Sequence, residues 1–184
     1  MTKKIGILVG SLREGSYNKI VAKKFAALLP EGYEAVFIDF STLPFYNEDL
    51  EVEGKVPESW QAFRHELQQV DGIYFFTPEY NRSVPGALKN ALDVGSRPYG
   101  QSSWDGKPAL VVSVSPGAVS GFGANHHLRQ SLVFLNMPTL QQPEAYIGNI
   151  LNLLDENGEI VPDTVSYFQL ITDKYIEFFE KLKG

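Results

Sequence analysis

The sequence contains no cysteine in 184 residues. Disulfide scaffolds, thiolate metal sites, iron–sulfur clusters and cysteine nucleophiles are therefore excluded. Histidine is almost as scarce, with only His65, His126 and His127. That leaves little material for a histidine-rich metal centre, and the adjacent pair at 126 and 127 lacks the i, i+4 spacing that puts two ligands on one helix face. No apolar run approaches the ~20 residues of a membrane span. The run Ile5 to Val9 behind Met1-Thr2-Lys3-Lys4 is too short for the apolar stretch of a signal peptide, so a cytoplasmic protein is expected. Basic charge is also short: 16 Lys plus Arg stand against 22 Asp plus Glu, a net charge of −6. A general nucleic-acid binder needs the opposite balance to displace counterions, although one local phosphate site is not forbidden. Repeats, low-complexity tracts and charge blocks are missing too, so residues 1–184 are read as a single domain.

What is present is an ordinary globular composition, 43% hydrophobic and 21% charged. Ile5-Gly6-Ile7-Leu8-Val9 is a short continuous apolar run that suits a strand buried on both faces. Tyr17, Ile20, Val21, Phe25, Leu28 and Leu29 then share one helical face, stopped by Pro30-Glu31-Gly32. Ala35 to Phe40 predicts a second strand, and Ser41 to Lys55 a loop. Pro57 opens a helix with Trp60, Phe63, Leu67 and Val70 inward. Gly72 to Phe76 predicts a third strand and Val84 to Val94 a helix. Ala109 to Val114 predicts a fourth strand, Gly121 to Leu135 a helix, and 138–142 a short fifth strand. A closing amphipathic helix carries Val165, Phe168, Ile171, Tyr175, Phe179 and Leu182. This alternation implies an α/β domain with parallel strands and helices on both sheet faces. In such a three-layer domain ligands bind beyond the carboxyl ends of the strands. The loops after strands one, three and four carry the unusual residues.

Gly10-Ser11-Leu12-Arg13-Glu14-Gly15-Ser16-Tyr17-Asn18 joins strand one to helix one. Free N–H groups and the positive end of the helix dipole make this turn an anion site. Ser11, Ser16 and Asn18 can donate hydrogen bonds, and Arg13 adds a forked cationic donor. Gly10 and Gly15 have Walker A spacing, but Ser16-Tyr17 replaces the required Lys-Ser/Thr, and the pattern G-x-G-x-x-G is absent. A phosphomonoester site without a magnesium ligand remains. The plainer reading, Ser16 as a helix cap, explains Ser16 alone.

Thr77 to Gly86 is stiffened by Pro78 and Pro85 and offers fixed main-chain groups to the edge of a planar heterocycle. Tyr80 adds a flat face and Asn81 both a donor and an acceptor. Ser83 is expected to cap the next helix, and Glu79 to pair with a base such as Lys89 or Arg97. The glycines of Ser115 to Gly123 allow close approach of a ligand, with Ser120 expected as a cap. No G-x-S-x-G elbow supports a serine hydrolase.

The first loop, the run Pro78-Glu79-Tyr80-Asn81-Arg82-Ser83-Val84-Pro85-Gly86-Ala87-Leu88-Lys89-Asn90-Ala91-Leu92-Asp93, and the segments Ser96 to Gly100 and Trp104 to Pro108 together resemble the NADPH-dependent FMN reductase family. That family includes bacterial quinone, azo-dye and chromate reductases. The resemblance covers nearly the whole chain. It implies a flavodoxin-like sandwich with a five-stranded parallel sheet in the order 2-1-3-4-5 and noncovalent FMN. It also implies that Ser11, Arg13, Ser16 and Asn18 hold the phosphate, that Pro78, Glu79, Tyr80 and Asn81 border the ring and ribityl chain, and that Ser115 and Gly117 close the site. A homodimer or homotetramer is implied as well, with NADPH or NADH as donor and small-molecule acceptors such as quinones, flavins, azo compounds or chromate. One departure stands out: Gly121-Phe122-Gly123-Ala124 replaces a glycine pair followed by a basic residue, which bears on the cavity over the flavin.

On this reading the cofactor carries the redox chemistry and no side-chain nucleophile is needed. The competing readings are a flavodoxin-type electron carrier and a flavin-binding redox sensor. Arg13 in the phosphate loop and the modest net charge favour the reductase.

Overall fold

The computed structural model describes residues 2–183. Its elements alternate as the hydrophobic pattern requires. β1 (Lys3–Val9) is followed by α1 (Tyr17–Ala27), β2 (Tyr33–Phe37), α2 (Glu58–Gln68) and β3 (Gly72–Thr77). Then come α3 (Gly86–Gly95), β4 (Ala109–Val114), α4 (Phe122–Phe134), β5 (Ala145–Ile147) and α5 (Pro162–Lys183). The five strands form one sheet in the order β2-β1-β3-β4-β5, and every pairing is parallel. This is the flavodoxin-like topology the resemblance implies.

Side-chain alternation divides the core in two. Ile5, Ile7, Tyr74, Phe76, Leu110, Val112 and Val114 face one layer, where they pack with Phe25 of α1 and Phe168, Ile171 and Tyr175 of α5. Leu8, Ile73, Phe75 and Val111 face the other, against Trp60 and Phe63 of α2, Leu88 and Leu92 of α3, and Leu128 and Leu132 of α4. Both sheet faces are covered, which is why the central strands read as unbroken apolar runs. Phe25 stacks on Phe168 with ring centres 4.7 Å apart and so joins α1 to α5. Each such buried side chain is worth about 1.5–3 kcal/mol of transfer free energy. Gly6 is required by space, since a Cβ there would lie 2.9 Å from Ile73 Cδ1.

Several boundaries differ from expectation, the largest at β2, α3 and β5. The fifth strand is Ala145–Ile147, not 138–142. The earlier segment does touch β4, through Ala109 N–H to Pro138 O and Leu140 N–H to Ala109 O, both within 2.9 Å. Pro143 has no N–H to offer a ladder, and the pairing resumes only beyond it. β2 is Tyr33–Phe37 and not Ala35 to Phe40: its pairing with β1 begins at Lys3 and ends at Ile7 opposite Phe37. α3 begins at Gly86 instead of Val84, because Tyr80 to Ser83 form a turn of their own. None of the described helices is long and apolar enough to cross a membrane.

Candidate functional site

The carboxyl ends of β1, β3 and β4 are neighbours in the sheet, so their loops meet at one edge. Gly10 N–H donates to Phe76 O at 2.7 Å and ties the first loop to β3. A Cβ on Gly10 would lie 3.4 Å from Pro78 Cδ, which places the first loop against the second. The strand order runs one way from β1 to β2 and the other way from β3 to β5, so the gap between β1 and β3 is the switch point of the sheet.

In the first loop Ser11, Ser16 and Asn18 are buried, at 5%, 2% and 4% exposure. Ser16 occupies the N-cap position of α1 with an extended backbone, φ −76° and ψ 124°, yet its side chain makes no cap hydrogen bond. Its Oγ and the Asn18 Oδ1 are buried and have no partner among the described residues. The expected capping role of Ser16 is thus corrected: the position is right and the bond is absent. A buried polar atom left unpaired costs about 1–3 kcal/mol, and both occur at the start of a helix, where the first N–H groups also lack intrahelical partners. Arg13 is exposed, with its guanidinium 5.2 Å from the Tyr17 ring centre and in no ion pair among the described residues. Beside Ser11 and Leu12 lies a groove of about 370 Å³ toward Lys19, Lys23 and Asp39.

The second loop is more committed than its sequence suggests. Thr77 Oγ1 donates to Pro78 O at 2.7 Å. Tyr80 and Ser83 exchange both main-chain hydrogen bonds at 3.0 Å. Asn81 and Arg82 between them have φ of 51° and 67°, the φ signature of a two-residue type I′ turn. The main-chain groups of Glu79 and Asn81 remain without an intramolecular partner among the described residues. Tyr80 is half exposed and turns its ring outward. Glu79 pairs with neither Lys89 nor Arg97. Its carboxylate receives Arg82 Nη1 at 3.1 Å and the Ala124 N–H at 3.1 Å. Lys89 instead pairs with Asp93. Ser83 caps nothing; its Oγ is 3.0 Å from His127 Nδ1.

The third loop is fastened from below. Ser115 accepts the Gly117 N–H on its Oγ at 3.0 Å, and Gly117 O accepts from both Ser120 and Asn149. Ser120 and Gly121 are both left-handed, with φ of 60° and 70°. Ser120 is not a cap either, since its Oγ donates to Ala118 O and the N-cap residue is Gly121. Ser113 Oγ donates to Ser120 O, and the fully buried Asn125 donates to Ser113 Oγ at 3.3 Å. Arg129 Nε closes this chain on Asn125 Oδ1 at 2.9 Å, and burial lowers its pKa. Sequence reasoning missed Ser113, Asn125 and Arg129. The available signal was a polar Asn125 on the apolar face of α4.

His126 and His127 both lie exposed. His126 packs on Phe122, with ring centres 4.2 Å apart, and its Nε2 is 2.9 Å from Tyr146 OH. Burial, followed by the hydrogen bond to Glu144, pushes the Tyr146 phenol up to about 12. No cluster among the described residues has the ligands of a metal site.

The family model for NADPH-dependent FMN reductase matches residues 3–152. A quinone reductase of Pseudomonas putida is 54% identical over 171 residues, covering 93% of this chain and 91% of the relative. A 2-hydroxy-1,4-benzoquinone reductase of a Burkholderia species is 44% identical over 176 residues, 95% of each chain. Among solved structures, FerB, a flavoenzyme NAD(P)H:(acceptor) oxidoreductase of Paracoccus denitrificans, superposes with a TM-score of 0.90 at 35% identity over 98% of both chains.

Proposed function

The chain belongs to the NADPH-dependent FMN reductase family, and from that premise we propose that it is an FMN-dependent NAD(P)H:quinone oxidoreductase whose flavin lies across the three loops. The observation that carries this reading is the buried Ser16 hydroxyl at the start of α1, a donor with no partner among the described residues. A phosphate monoester at the start of α1 would take the Ser16 hydroxyl as one donor and the Nδ2 amide of Asn18 as another. It would also take the free N–H groups and the positive dipole end of the helix. The residues present therefore fit FMN.

When bound, FMN supplies two-electron redox chemistry between a nicotinamide donor and an acceptor. The chain's contribution is position and electrostatics. Ser11, Ser16 and Asn18 would hold the phosphate, and Arg13, which is engaged with no carboxylate among the described residues, would supply a cationic donor. Pro78 and the hairpin Tyr80 to Ser83 hold the unpartnered main-chain groups of Glu79 and Asn81 in fixed directions for the edge of the ring. Ser115 and Gly117 would close the site from the third loop, with their polar groups largely spent on the loop itself. No side-chain nucleophile is used.

Quinones are favoured as acceptors by the relatives' activities and by the apolar and aromatic edge that Tyr80, Val119 and Phe122 expose around the loops. A cytoplasmic setting accords with that chemistry. The chain also carries a surface suited to self-association. A groove of about 610 Å³ between α3 and α4 lies beside Val133 and Phe134, which are 77% and 87% exposed. A knob and a hole on one face are what a twofold dimer needs. The test of the proposed activity is a steady-state assay of the FMN-loaded protein with NADPH or NADH and a benzoquinone. Parallel initial-rate lines are expected for donor and acceptor sharing one face; no turnover with any quinone would refute the reading.

A further inference from the structure

Both carboxylate oxygens of Glu79 are engaged within the protein, one by the Ala124 N–H at the start of α4 and one by Arg82. We propose that Glu79 is a positioning residue, a helix cap supplied from another loop that fixes the second loop against the third. The inference rests on the flavin reading above for its functional consequence, and on the structure alone for the clamp.

α4 begins at Phe122, and its N-cap residue is Gly121, which has no side chain to cap with. Helix starts are usually capped by a local Ser, Thr, Asp or Asn whose oxygen accepts the N–H of the second or third residue. Here the third residue is Ala124, and its N–H goes to Glu79 Oε2 at 3.1 Å. The donor and acceptor are 45 positions apart in sequence. A carboxylate in this place also meets the positive end of the helix dipole. The Glu79 side chain is 13% exposed, so the bond is shielded from solvent, while its other oxygen is held by the largely exposed Arg82.

The surroundings are shaped for this contact. A Cβ on Gly123 would lie 3.0 Å from Glu79 Oε2 and 2.9 Å from Arg82 O, so a larger residue at 123 would push the second loop away from α4. A Cβ on Gly121 would lie 3.8 Å from Glu79 Cβ. Loop two and the root of loop three are thus in direct contact at this carboxylate. The main-chain N–H and C=O of Glu79 make no hydrogen bond among the described residues and would be available to a ligand. One residue would then serve both directions, with its side chain setting the slot and its main chain lining it.

The test uses the full chain with Glu79→Ala and Glu79→Gln, read in two ways. In flavin-free protein, amide hydrogen exchange at Ala124 should accelerate about tenfold or more in Glu79→Ala, as for loss of one charge-assisted hydrogen bond. Glu79→Gln keeps an oxygen acceptor and should recover most of that protection. In FMN titrations, Glu79→Ala should weaken binding about tenfold, with Glu79→Gln within about threefold of the unsubstituted chain. Unchanged Ala124 exchange in Glu79→Ala would overturn the clamp. Faster exchange with unchanged FMN affinity would overturn the positioning role. Failure of the unsubstituted chain to bind FMN would refute the flavin reading and the functional half of this proposal with it, while the exchange contrast would still establish or refute the clamp.

Discussion

The Ser113 hydroxyl donates to the Ser120 carbonyl at 2.7 Å, from the carboxyl end of β4 to the left-handed corner that starts α4. The same hydroxyl oxygen receives the buried Asn125 amide. A sheet residue thereby holds the shape of a loop whose own side chains do not cap the following helix. Ser113→Ala strands the Ser120 carbonyl and takes one acceptor from the Asn125 amide, which keeps longer contacts to Val111 O and Ala145 O. A loss of about 2 kcal/mol in unfolding free energy is expected, read as a lower denaturation midpoint in urea at unchanged slope.

Ser16 separates two roles that sequence leaves entangled. A capping serine stabilises the ligand-free fold, whereas an unpartnered buried hydroxyl does not. Ser16→Ala should therefore leave the thermal midpoint of the flavin-free protein unchanged or higher, and should weaken FMN binding about tenfold, the effect of losing one charge-assisted hydrogen bond. A lower midpoint of the flavin-free protein would show that Ser16 works as a cap.

Gly95 ends α3 against the indole of Trp104. A Cβ there would lie 2.6 Å from Nε1 and 2.7 Å from Cε2, both parts of a fully buried ring. The indole N–H also donates to Leu92 O at 3.0 Å. Gly95→Ala must displace the ring and break that bond, at a cost of about 2–4 kcal/mol. The tryptophan emission maximum should move to longer wavelength as the ring meets solvent.

At the opposite end of the sheet, Glu180 binds Lys3 and the Tyr33 hydroxyl. The hydrogen bond from Lys3, then that from Tyr33, holds its carboxyl below the ordinary value of 4.5. A lowered carboxyl pKa means that the unfolded chain takes up its proton first as the solution is acidified. Stability from this group is present in full above about pH 5 and is lost as pH falls through the folded-state value. In Glu180→Gln the stability–pH curve should be flatter below pH 4.5 than in the unsubstituted chain, measured by urea unfolding across that range.

The groove between α3 and α4 predicts association. Phe134→Asp should shift the unsubstituted protein's sedimentation from dimer to monomer without altering its circular dichroism. A monomer before substitution would contradict the proposed dimer.

Much of the architecture is legible in sequence because burial on both faces leaves a simple signature. Ile5 to Val9, Gly72 to Phe76 and Ala109 to Val114 are apolar without alternation, and each is a central strand. The fifth strand is short and stands at the edge, so its pattern is weak, and the run ahead of Pro143 imitates it. Loop chemistry is harder to read. Ser83 and Ser120 sit where caps usually sit, but positive φ at Asn81, Arg82, Ser120 and Gly121 redirects the chain and gives those hydroxyls other partners. Long-range partners leave no local trace at all: nothing near Glu79 in sequence indicates Ala124, and nothing near Ser113 indicates Asn125.

The most direct test of the central claim is an equilibrium titration of the purified, flavin-free chain with FMN, followed by gel filtration and a visible spectrum. The account predicts retention of about one FMN per chain, with the stability of the fold rising as the site fills. A protein that emerges colourless and unshifted in melting temperature would contradict the assignment of the three loops to FMN.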